Sequence, residues 1–156
     1  MTHYARLTCV LALCVSALAA QSVPAVPAVQ TTGMIGLAET QTARLNLLNP
    51  GVLAPAAGAI CTAQVAFVDG TGAVLKSATL AVLPGKSMYL DLHDVDIALA
   101  VGERRQIRAT LTFPLVPPPT AGAVAAAPCK VIPTLEIFDK ITGRTTVALG
   151  HVESIP

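Results

Sequence analysis

From Arg104 to Leu115 the chain reads RRQIRATLTFPL, and from Gln106 onward polar and apolar residues alternate almost without a break. Ile107, Ala109, Leu111 and Phe113 fall on one side of an extended chain, while Gln106, Arg108, Thr110 and Thr112 fall on the other. A period of two marks a strand with one face in a core and the other in water. Such a strand needs neighbours at its edges and a second layer over its apolar face, so the rest of the sequence must supply further strands.

It does. In TARLNLLNPG, residues 42–51, Ala43, Leu45 and Leu47 alternate with Arg44 and Asn46 until Asn49-Pro50-Gly51 stops the run. In CTAQVAFVDGTGAVLKS, Cys61, Ala63, Val65 and Phe67 share one face, Asp69 to Gly72 supplies a turn, and Ala73 to Ser77 returns as the second arm of a hairpin. Thr79 to Leu83 reads as a further short strand closed by Pro84-Gly85, and Met88, Leu90 and Leu92 then alternate with Tyr89 and Asp91. The stretch from Cys129 to Val152 reads as strand, turn at Asp139 to Gly143, and strand. Before it, VPPPTAGAVAAAP lacks the donors a central strand needs, and an exposed Pro/Ala-rich loop is expected at 117–128. About seven strands with closely spaced turns predict an all-β fold, an antiparallel two-sheet β-sandwich.

The N-terminus carries an address. Arg6 precedes an apolar run from Leu7 to Ala20 that ends in small residues, the layout of a secretory signal peptide with cleavage after Ala19 or Ala20. The run is too short to span a bilayer, and Leu13 before Cys14 does not suit a lipidation site. Export to a periplasmic or extracellular location is expected, with residues 1–20 as signal peptide and no transmembrane span after cleavage. Residues 21–32, where Pro24 and Pro27 fall among small residues, read as a flexible linker, and 33–156 as a single domain. Roughly 136 residues remain, enough for one core. Arg6 leaves with the signal, so the chain's 10 basic and 9 acidic residues come into balance. That balance, with no basic block, excludes nucleic acid as an expected partner.

Removal of the signal also removes Cys9 and Cys14, leaving Cys61 and Cys129 in an oxidising compartment. Each opens a strand that an aspartate and a glycine-ended turn follow. Cys61 shares the phase of Val65 and Phe67, and Cys129 that of Leu135 and Ile137, so both sulfurs are expected to point inward and to pair. A bridge closing about 68 residues is worth about 4 kcal/mol in the chain-entropy treatment. The strand count, the DGTG hairpin at 69–72, the LPGKSMYLDL run at 83–92 and the Cys61 to Cys129 separation together resemble the immunoglobulin-like or fibronectin-type-III-like modules of exported bacterial proteins. The chain has no tryptophan, and what the resemblance implies is architecture alone.

Chemistry concentrates in YLDLHDVD, residues 89–96. Asp91, Asp94 and Asp96 could offer oxygen ligands to calcium, and His93 a nitrogen to zinc, but no glycine folds the segment into a calcium loop and the only other histidine past the signal is His151. A strand leaving a core needs polar residues where its backbone meets water, so a solvated loop is the simpler expectation, with no cofactor and no assigned metal. Gly85-Lys86-Ser87 looks like the end of a phosphate-binding loop, yet Leu80 stands where the first glycine belongs, and a turn is expected instead. No serine sits in a nucleophile elbow, although Ser87, His93 and Asp91 could in principle be assembled in space. Arg104, Arg105 and Arg108 form the one local basic cluster, a solvated face that anionic glycans or lipid headgroups could use. The expected function is a non-catalytic exported module that is structural, adhesive or recognises an envelope or extracellular protein or glycan. The alternatives are a pilin-like subunit whose arm 21–32 completes a neighbour's sheet, and a small metal-binding or hydrolytic protein using Asp91 to Asp96.

Overall fold

The computed structural model describes residues 29–51, 60–114, 130–149 and 153–155. The expected signal peptide, the loop at 117–128, Cys129 and His151 lie outside these residues. Ten strands follow in chain order: β1 Val29–Thr31, β2 Ile35–Ala38, β3 Gln41–Leu48, β4 Cys61–Asp69, β5 Val74–Val82, β6 Ser87–His93, β7 Arg104–Thr112, β8 Ile132–Asp139, β9 Thr145–Leu149 and β10 Glu153–Ile155. One 3-10 turn, Asp94–Ile97, joins β6 to β7. Among the described residues no helix is long and apolar enough to cross a membrane.

Every pairing is antiparallel, and the strands form two sheets. The first runs β10-β1-β7-β4-β5, with β2 also on β7; the second runs β6-β3-β8-β9. The expected all-β two-sheet sandwich is what forms, because each alternating run has an apolar face to bury. Leu45, Leu47, Leu92, Leu135 and Ile137 of the second sheet join Val65, Phe67, Val82, Ile107 and Leu111 of the first in one buried cluster. Each large side chain in it stabilises the fold by about 1.5 to 3 kcal/mol relative to exposure.

Three expectations about the strands need correction. The linker expected at 21–32 does not reach Thr32, since Val29–Thr31 is already a strand paired on both sides, with β7 and β10. Its residues follow the last proline of the arm, so nothing blocks the ladder, and the Thr32 hydroxyl accepts the Ala109 amide at 2.9 Å just beyond it. The two short strands expected around 73–83 are one nine-residue strand, β5, because no proline or glycine between Ser77 and Thr79 interrupts its pairing with β4. The count exceeds seven because β1 and β2 are successive pieces of one line along β7, with Thr31 opposite Thr110 and Ile35 opposite Ile107, and β10 adds a short outer strand.

The two aspartate turns are built alike. Asp69 Oδ1 accepts the amides of Thr71 and Ala73 at 2.8 and 3.0 Å and the Thr71 hydroxyl at 2.6 Å. Asp139 Oδ1 accepts the amides of Thr142 and Ile141 at 2.7 and 3.0 Å and the Thr142 hydroxyl at 2.9 Å. Gly72 and Gly143 then take the left-handed backbone that closes each turn, at φ 90° and 69°. Hydroxyl and amide donors hold both carboxyls below the usual aspartate range.

Ala98, which ends the 3-10 turn, is left-handed at φ 48° without being glycine. An L side chain there costs about 1 to 2 kcal/mol, offset for glycine by its larger unfolded-state entropy. Ala98→Gly is therefore expected to stabilise the protein by roughly 0.5 to 1 kcal/mol, read as a rise in urea midpoint. An unchanged or lowered midpoint would show that the turn carries no such strain.

Candidate functional site

The β6 segment and the turn after it hold Asp91, His93, Asp94 and Asp96, and the fold sends these side chains to separate destinations. Strand period places Asp91 and His93 on the outer face of the second sheet, opposite Arg44 and Thr42 of β3. Arg44 donates from Nε and Nη2 to the two Asp91 carboxylate oxygens, both at 2.7 Å. The guanidinium also lies 4.1 Å from the Tyr89 ring centroid and 5.1 Å from that of Phe138, so it is gripped by charge at its edge and by rings at its faces. The Asp91 bond raises the Arg44 pKa above its ordinary value. Next along the same face, His93 Nδ1 meets the Thr42 hydroxyl at 3.0 Å.

The backbone turns after His93, and Asp94 goes inward. It is only 6% exposed. Its carboxylate accepts the Thr40 amide at 2.8 Å, the Val95 amide at 2.8 Å, and the Lys140 ammonium. Thr40 is itself held in the left-handed region at φ 63°, an uncommon state for a β-branched residue. Its carbonyl accepts the Lys140 amide at 2.8 Å and its hydroxyl donates to Asp139 at 3.3 Å. Asp94 thus ties together three connections at one end of the sandwich: β2 to β3, β6 to β7, and β8 to β9. The Lys140 ammonium, then the two amides, keep its carboxyl below the usual aspartate range against the cost of burial.

Asp96 points elsewhere again. It accepts the Lys76 ammonium of β5 at 2.7 Å and the His93 amide at 2.9 Å, which together lower its pKa. The three aspartates therefore engage three different cations, and among the described residues no group of three or more His, Cys, Asp or Glu side chains converges where a metal ion could be held. The expectation of a solvated loop needs amendment: the side chains do splay, but into ion pairs and backbone caps, with Asp94 buried.

A serine hydrolase geometry does not form. Ser87 and His93 lie six positions apart on one strand, about 20 Å at 3.3 Å per residue, and His93 and Asp91 face Thr42 and Arg44. Gly85 and Lys86 belong to the turn before β6, which Ser87 opens, with the Lys86 amide donating to the Leu83 carbonyl at 3.0 Å and Gly85 at φ 68°. The basic cluster divides by strand period, Arg104 and Arg108 taking the outer face of β7 with Gln106 and Thr110, and Arg105 the opposite phase.

Sequence reasoning missed Thr40, Lys76 and Lys140. Lys76 and Lys140 join Asp96 and Asp94 from 20 and 46 positions away, and only tertiary folding brings them there. Arg44 left a signal, as the one charged residue of β3, placed in its outward phase. No protein-family model, no curated protein and no solved structure matches the chain.

Proposed function

We propose that the chain is an exported, non-catalytic β-sandwich module that works by presenting its sheet faces to an envelope or extracellular partner. The observation that carries this reading is the engagement of Asp91, Asp94 and Asp96 by Arg44, Lys140 and Lys76. The three aspartates that could have formed a base or ligand cluster are each committed to an ion pair, which favours the broad faces as the working surface.

The immunoglobulin-like assignment has topological support. In that fold strands B and E are neighbours in one sheet and C and F in the other. Here β3 pairs β6 in one sheet and β4 pairs β7 in the other, and β5 extends from β4 as a hairpin. The departure lies after β7, where β8 crosses to join β3 while β1 and β2 lie beside β7. Pairing of Cys61 with Cys129 belongs to the same proposal, and the burial of Cys61 at the head of β4 supports it. The pilin-like alternative has less support, because the last residues of the arm, Val29–Thr31, already complete this chain's own sheet.

The test is retention. Labelled mature protein, starting at Gln21, should bind envelope fragments saturably, be displaced by unlabelled protein, and leave chromogenic ester and phosphate substrates unchanged. Non-saturable retention, or turnover abolished by His93→Ala, would contradict the reading.

A further inference from the structure

The geometry points to the outer face of the first sheet as a binding site for an acidic polysaccharide, with a hydroxyl-lined depression receiving one sugar ring, Arg108 next to it and Arg104 further along β7 meeting carboxylates of successive sugars. This rests on the reading of the chain as an exported recognition module and assigns that module a ligand class.

The depression has a volume of about 330 Å³, toward the low end of small-molecule sites. Its rows follow from register: Ala66 has Ser77 on one side and Thr110 on the other, and Gln64 has Thr79 and Thr112. The small Ala66 makes the floor, and every polar side chain around it is a neutral hydroxyl or amide. Thr110 donates to the Ala66 carbonyl at 3.4 Å. Gln64, Ser77, Thr79 and Thr112 make no side-chain hydrogen bond among the described residues and can exchange water for a ligand's hydroxyls.

The cations on the same face are equally uncommitted. Lys76, Lys140 and Arg44 each pair with an aspartate, whereas Arg104 and Arg108 make no ion pair among the described residues. Arg108 lies on the same face as Thr110, two residues along β7, and the residue is partly exposed there. Arg104 lies flat over Gly36, where a Cβ would come within 1.8 Å of its Nε, so the glycine is what seats the guanidinium. Two planar guanidinium groups favour carboxylates, which they can bind through paired hydrogen bonds. Among the described residues no aromatic side chain lines the depression to stack the bases of a single strand.

The test is calorimetric titration of the mature protein, at low salt, with a galacturonate tetramer and with maltotetraose as the neutral counterpart. Saturable binding of the uronate is expected, at least about tenfold tighter than of the neutral sugar. Arg108→Gln and Arg104→Gln should each weaken it severalfold and Gln64→Ala should do likewise, while Ser87→Ala on the opposite sheet leaves it unchanged; thermal melts confirm that each variant is folded. Absence of saturable uronate binding at millimolar concentration would overturn the proposal. So would equal affinity for maltotetraose, indifference to both arginine substitutions, or equally tight binding to duplex DNA or to vesicles of equal parts phosphatidylglycerol and phosphatidylcholine. Saturable envelope retention without uronate binding would refute this site and leave the recognition reading standing.

Discussion

Asp94→Ala is expected to destabilise the protein by about 2 kcal/mol near neutral pH, because it removes a buried acceptor from two backbone amides, while the partly exposed Lys140 ammonium can regain water. The substitution takes an acceptor from the Lys140 ammonium and from the Thr40 and Val95 amides together. It also frees Thr40 from one of the bonds that hold it at φ 63°. The pH dependence has a definite sign. Since the folded carboxyl titrates below its unfolded value, the unfolded chain takes up the proton first on acidification. The contribution is therefore complete above the unfolded aspartate range, near pH 4, and is lost as pH falls through the folded pKa. Urea midpoints of wild type and variant should lie far apart at pH 7 and approach each other toward pH 3. A gap that is small at pH 7, or that widens on acidification, would show that Asp94 does not clasp the three connections.

Phe67→Ala is expected to cost about 4 kcal/mol, within the usual range for deleting a buried aromatic ring. Phe67 is 0% exposed and lies on β4, between Lys76 of β5 and Ala109 of β7. Its small neighbour Ala109 cannot move to fill the space the ring leaves. Chemical denaturation provides the value. A loss under about 1 kcal/mol would mean that the site collapses or that water fills it, and that the two sheets are packed less tightly than the shared cluster implies.

What the sequence disclosed and what it withheld divide along the range of the interactions. Alternation around Ile107, Leu45 and Val65 is a local property, and it identified the inward faces of β7, β3 and β4 correctly. The turns at Asp69 and Asp139 were legible for the same reason, since each carboxylate bonds to residues within four positions of itself. Val29–Thr31 was hidden because a three-residue strand has too few positions to show a period, and its partners lie on β7 and β10. The segment 89–96 was legible as side chains that splay, but not as ion pairs. Strand geometry keeps Asp91 on the outer face, and the 3-10 turn that follows rotates Asp94 and Asp96 in different directions. Their cations, Arg44, Lys140 and Lys76, come from three different parts of the chain, which local pattern does not encode.

Titration of the protein with calcium and with zinc tests most directly whether these aspartates clasp the fold. Because each carboxylate is already occupied, neither ion should give saturable heat or change the melting temperature. Stoichiometric binding of either cation, abolished by Asp94→Ala, would contradict it.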